Sequence, residues 1–144
     1  MPDGHHSFDH ALHEANLWLK ATEQHLHCSE AEAHQALRAV LQALRDRLPA
    51  EFVPKLSAQL PLLIRGIYFE GWSGGASTLG HRAEDFTSRV RAHLPPHHPL
   101  DGRSATIGVF EVLWERLDPG ETAKIIDLLP AGFHDLWPRV AIRG

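Results

Sequence analysis

The chain matches itself. At an offset of 69 residues, Val40 falls on Val109, Leu44 on Leu113, Arg47 on Arg116, Leu48 on Leu117, and the step Leu60-Pro61 on Leu129-Pro130. Between these identities the apolar positions agree in kind: Leu41 with Phe110, Leu56 with Ile125, Ile64 with Phe133, Tyr68 with Trp137. Helical periodicity alone would align apolar residues, but it would not also bring the Leu-Pro step and the arginine into register. The match therefore reads as a duplicated helical unit. One such unit, about 65–70 residues, buries only a marginal core, so the two copies are expected to pack together. The fold expected is all-α: two pseudo-equivalent helical repeats of about four helices each, two of them short, packed as one compact bundle. The boundaries read as 1–72 for the first repeat, 73–80 for a Gly/Ser-rich connection, 81–138 for the second repeat and 139–144 for a short tail.

Local spacing fills in the helices. Phe8, Leu12, Ala15, Leu19, Thr22 and Leu26 recur at steps of three and four, one face of a first helix over about residues 7–27. Ser29-Glu30-Ala31-Glu32 is a capping box. The helix it opens carries Ala33, Leu37, Val40, Leu41, Leu44 and Leu48 inward and Arg38, Gln42, Arg45 and Asp46 outward, and Pro49 closes it. Pro54 is expected to distort the first turn of a third helix over 50–59. Pro61 suits the start of a fourth helix that stops near Gly71. Because this segment is apolar almost all round, it is expected to be packed on several sides. Ala83, Phe86, Val90 and Leu94 mark the next helix, and Thr106, Phe110, Leu113 and Leu117 the one after. Asp118-Pro119-Gly120-Glu121 is a strong helix start. The last short helices carry Ile125, Leu129, Phe133, Leu136 and Trp137.

Composition narrows the function classes. Fourteen basic against eighteen acidic residues leave a formal charge of −4, which argues against nucleic acid and anionic membrane surfaces as partners. The longest apolar block, residues 60–69, is broken by Pro61, Arg65 and Gly66 and falls short of the ~20 residues a membrane span needs. The start of the chain has no basic segment followed by an apolar one, so no secretory signal is expected. A single cysteine, Cys28, excludes a disulfide framework and a four-cysteine zinc site. The compartment expected is the cytoplasm.

Candidate chemistry is sparse. Gly71-Trp72-Ser73-Gly74-Gly75 matches G-x-S-x-G, but that elbow needs a strand before the serine, and no strand pattern occurs. Twelve histidines are unusual. His6, His10 and His13 step by four and three, the one group that would present imidazoles to a metal from a single helix face. His25, His27 and Cys28 form a second group and His93, His97 and His98 a third, none with a recognised zinc spacing. Cys28 precedes the helix opened by Ser29, where the helix dipole favours a thiolate, yet no His/Asn or His/Asp partner can be assigned. Arg65, Tyr68, Glu70 and Trp72 admit two readings: sealing the core edge and capping carbonyls, or gripping a partner as an aromatic-plus-arginine patch. Arg47 and Arg116, equivalent under the offset, are expected to share one structural role.

Two stretches, residues 36–49 and 59–72, together with Glu14-Ala15-Asn16-Leu17-Trp18-Leu19-Lys20 and Glu84-Asp85-Phe86, resemble the bacterial domain-of-unknown-function family 2267. The resemblance covers nearly the whole chain. It implies a small all-helical protein of two similar halves and brings no activity and no catalytic residues. The chain departs from that pattern at Pro54 and in its histidine count.

The expectation is a small soluble, non-enzymatic protein-interaction or scaffold domain, with a protein partner or a second copy of itself and with no cofactor. The alternative is a ligand- or metal-responsive sensor, its site between the repeats or at the N-terminal histidines.

Overall fold

The computed structural model describes residues 4–75 and 79–142, with side chains from residue 7 onward. In chain order the helices are α1 (Gly4–Leu26), α2 (Glu30–Arg47), α3 (Val53–Ser57), α4 (Leu62–Phe69), α5 (Ala83–Ala92), α6 (Gly102–Arg116), α7 (Pro119–Leu128), a 3-10 helix η1 (Ala131–Leu136) and α8 (Arg139–Ile142). Among the described residues there is no strand.

Side-chain caps set where the two central helices begin. The Ser29 hydroxyl accepts the Glu32 N–H at 3.2 Å, and the Glu32 carboxylate accepts the Ser29 N–H at 3.0 Å, the capping box that opens α2. Asp101 accepts the Ser104 N–H at 2.7 Å and opens α6. These two helices lie against each other; α1 and α5 each pack on both, α4 packs on α2 and α1, and α7 and η1 pack on α6. Small buried residues let them approach: Ala33, Ala36, Ala39 and Ala43 on α2, and Gly102, Ala105 and Gly108 on α6. A Cβ at Gly108 would sit 2.2 Å from Leu26 Cδ2 and one at Gly102 would sit 1.9 Å from the Thr87 carbonyl oxygen, so α1 and α5 cross α6 where it has no side chain.

Positions 69 apart adopt matching backbones at the helix boundaries. Leu48 and Leu117 end α2 and α6 with N–H donors to Leu44 O and Leu113 O at 3.0 and 2.9 Å. Pro61 and Pro130 precede α4 and η1 with φ −58° and ψ 154° and 152°. Leu37, Leu44, Leu56, Ile64 and Tyr68 belong to the same buried cluster as Val109, Phe110, Leu113, Ile125 and Phe133. Phe86 links α5 to the second half of that core, 5.9 Å from the Phe110 ring and 5.4 Å from the Phe133 ring.

The structure corrects several local expectations. In α1 the buried stripe is Ala11, Ala15, Trp18, Thr22 and Leu26, while Phe8 and Leu12 are 75% and 54% exposed. Two apolar series interleave on this helix, and the alanine series faces inward because it permits close packing. In addition, α1 has 23 residues against 18 in α2, to which a three-residue link joins it, so its first turns run past the end of its neighbour. The fourth helix is not packed on several sides: Ile64 and Tyr68 are buried, but Leu62 and Leu63 on its first turn are exposed. Pro54 falls within the first turn of α3, where a missing N–H costs nothing, and the helix is only five residues long. Residues 139–142, expected as tail, form the turn α8. Arg45, expected on the outer face, is buried.

Candidate interaction surface

The four residues that the sequence offered as a partner patch do not share a surface. Tyr68 lies wholly in the core and its hydroxyl donates to Val53 O at 2.9 Å; burial, only partly offset by the nearby Arg45 guanidinium, pushes that phenol well above its ordinary range. Arg65 donates to Ser57 O at 2.9 Å and Leu60 O at 3.2 Å, tying down the end of α3. Trp72 is half-buried, its ring 5.5 Å from that of Phe69. Glu70 is exposed and pairs with Arg38. As a partner patch the set is corrected: Tyr68 is out of reach and the Arg65 guanidinium is engaged with backbone carbonyls.

The residue that organises this end of the bundle is Arg45. Its guanidinium donates to Tyr68 O at 3.1 Å, to Glu70 O at 2.8 Å and to both Asp46 oxygens at 2.8 and 3.1 Å. Gln42 adds a bond to Ile67 O at 3.0 Å, so α2 satisfies the last carbonyls of α4 from outside that helix. Asp46 also receives Arg89 of α5 at 2.6 Å. Burial alone would raise the Asp46 carboxyl, but the two guanidiniums outweigh it and hold it below the usual carboxylate range. Arg47 bonds the His81 ring at 2.9 Å, whereas Arg116 is exposed, so the two arginines do not share one role.

The histidines are dispersed. His10 and His13 are exposed, and the side chain of His6 lies outside the described residues. His25 contacts Glu111 at 2.7 Å through one ring nitrogen and Glu115 at 2.8 Å through the other, clasping the end of α1 to α6. Those carboxylates sit at opposite ring nitrogens and do not converge on a point where a cation would bind both with the ring. His98 accepts the Leu100 N–H on Nδ1 at 3.2 Å, which leaves Nε2 to donate to Glu32 O at 3.0 Å, and the loop is thereby pinned to the first turn of α2. His93 accepts the Arg89 Nε–H at 2.8 Å; burial and that guanidinium press its ring pKa below the ordinary value. Among the described residues no three His, Cys, Asp or Glu side chains are placed to hold a metal ion. Cys28 is half-buried, and burial, then Glu32 and Glu23, push its thiol up, opposite to what an activated nucleophile requires.

What sequence reasoning missed is an apolar surface. Phe8 and Leu12, one helical turn apart, share a face of α1 and point to solvent, and Leu62 and Leu63 are exposed on α4, a helix that packs against α1. The sequence signal was present as the second of the two interleaved apolar series on α1 and as the all-round apolarity of α4. No described helix is long and apolar enough to cross a membrane.

No curated protein matches the chain. The profile of the family described as "Uncharacterized conserved protein (DUF2267)" matches residues 15–136, most of the chain, with Gln42, Arg45 and the helix ends they cap inside that span. The chain belongs to that family of uncharacterised conserved proteins, DUF2267.

Proposed function

We infer that this is a non-enzymatic interaction domain that docks a protein partner through the exposed apolar residues of α1 and α4. The observation that carries the reading is the pair Phe8 and Leu12, 75% and 54% exposed on adjacent turns at the start of α1, beside the buried stripe that Ala11, Ala15 and Trp18 continue. Large apolar side chains scattered singly on a surface are ordinary, but two on adjacent turns of one face make a patch whose removal from water favours association, and Leu62 and Leu63 add exposed apolar area on α4. The side-chain chemistry supports a binding role over catalysis. The buried Arg45 is engaged with carbonyls and Asp46, and Cys28 is held in its thiol form. The acidic balance of the chain favours a protein surface over nucleic acid as the partner, and the reading places the protein in the cytoplasm.

The test is affinity capture from native lysate with the wild-type chain and the double variant Phe8→Ser/Leu12→Ser, each with and without a chelator. Light scattering on both proteins reads self-association. The reading expects capture or self-association by the wild type, its loss in the variant at unchanged melting temperature, and no effect of the chelator. Equal behaviour of the two proteins would overturn it.

A further inference from the structure

Two concavities sit at positions related by the offset of 69, and they differ in charge. The first lies between α2 and α4 and is lined by His34, Arg38, Gly66 and Glu70 among others; Arg38 and Glu70 neutralise each other across it. The second, of about 520 Å³, is lined by Arg103 at the start of α6, His134 and Asp135 of η1, Trp137, and Arg139 and Ile142 of α8. Under the offset Arg103 replaces His34, Asp135 replaces Gly66, Arg139 replaces Glu70, and Ile107 stands where Arg38 does. The acid–base pair that closes the first site is thus gone. Two guanidiniums face one carboxylate in the second, and both Arg103 and Arg139 are exposed at its wall.

One aromatic pair related by the offset makes a further contrast, and of the two only Trp137 lines its cavity. Tyr68 has its hydroxyl satisfied by Val53 O, whereas Trp137, its counterpart, is 4% exposed with an indole N–H that finds no acceptor among the described residues. A buried donor without an acceptor is costly, so it is seldom left unless something supplies the acceptor. The ring itself is fixed, stacked on Phe110 at 4.0 Å and 20°.

We propose that this second cavity binds a small molecule bearing a carboxylate or phosphate group, gripped by Arg103 and Arg139, with the Trp137 N–H as orienting donor. Arginine forks match planar and tetrahedral oxyanions through paired N–H donors, and His134 adds a ring donor beside them. The four-residue turn α8 carries one of the arginines and Ile142, so its movement admits the ligand to the buried indole. The site uses none of the residues of the α1–α4 docking face, so the two readings stand or fall separately.

The experiment is a proton–nitrogen correlation spectrum of the full chain titrated with inorganic phosphate and, separately, with succinate, against sodium chloride at matched ionic strength. The indole resonance of Trp137 is identified by its absence in Trp137→Phe, or by backbone-linked assignment if that variant does not fold. The expected result is a saturable shift of this resonance with at least one oxyanion, at least ten-fold weaker binding in Arg103→Gln/Arg139→Gln, and unchanged binding in Arg116→Gln. A shift with phosphate alone assigns the ligand to phosphate compounds, with succinate alone to carboxylates, and with both to oxyanions generally. No saturable shift, the same shift with chloride, or undiminished binding in the double variant would overturn the proposal.

Discussion

Arg45 is the residue whose role departs furthest from its position in the sequence pattern. By periodicity and charge it belongs on the wet side of α2, yet it is 5% exposed and donates to carbonyls 23 and 25 residues further along the chain. Removing it leaves Tyr68 O, Glu70 O and the partly buried Asp46 without their donors. Breaking a buried, hydrogen-bonded charge pair costs about 3–5 kcal/mol, so Arg45→Ala is expected to lose stability in that range by urea unfolding. A loss below about 1 kcal/mol, the level of an exposed ion pair, would show that the network contributes little. The arginine was illegible in the sequence because its partners are backbone carbonyls at the end of another helix, and no side-chain spacing records them. Arg65 was half-legible for the converse reason: its partners, Ser57 O and Leu60 O, lie within eight residues.

At the scale of the element, helix starts and most buried faces were legible: Leu37, Val40, Leu41 and Leu44 on α2 and Thr106, Phe110 and Leu113 on α6 are buried as their spacing predicts, and α1 is the exception. Ser29 and Asp118 each cap the helix they were expected to open, because capping needs only a side chain and the N–H groups two or three residues on, and Asp101, which the sequence reading did not single out, caps α6 in the same way. The face of α1 expected from Phe8, Leu12, Ala15, Leu19, Thr22 and Leu26 holds at Ala15, Thr22 and Leu26, which are buried, and fails at Phe8 and Leu12, because the adjacent series Ala11-Ala15-Trp18 is also helical and only the neighbours decide which turns inward. These contacts also set an acid limit. Backbone N–H donors hold Asp101 and Glu32 below their ordinary carboxyl values, Asp101 through Ser104 and Glu32 through Ser29; at Asp46 the Arg45 and Arg89 guanidiniums overcome the rise that burial alone would cause. A carboxyl lowered in the folded state contributes stability that is fully present above its unfolded value, near ~4, and lost as the pH falls through the folded value. Because His93, lowered in the fold by burial and Arg89, withdraws stability as the pH falls below its unfolded value of about 6.5, the melting temperature is expected to decline modestly from pH 7 to about 5 and more steeply below about pH 4. Asp46→Asn, already weakened at neutral pH, is expected to show the smaller fall. Equal slopes for the two proteins in thermal scans would remove Asp46 from this account.

At the scale of the molecule, the all-helical class followed from the sequence because apolar residues recur at steps of three and four through nearly every segment. The charge change from Glu70 to Arg139 is readable at the offset itself, whereas the contrast between the satisfied Tyr68 hydroxyl and the Trp137 N–H, which finds no acceptor among the described residues, appears only in the structure. The docking face was equally hidden, since exposure of Phe8 follows from helix lengths and not from its own neighbours.

The claim on which the account rests is that both halves share one interior, with α2 and α6 packed on each other at its centre. Equilibrium urea unfolding of the full chain, followed by tryptophan fluorescence and by helical circular dichroism, tests it with Leu44→Ala in one half and Leu113→Ala in the other. Both leucines are fully buried. The account predicts a single transition that coincides for the two probes and shifts as a whole in either variant, each losing about 2–5 kcal/mol. Two transitions, each answering to only one of the variants, would contradict it.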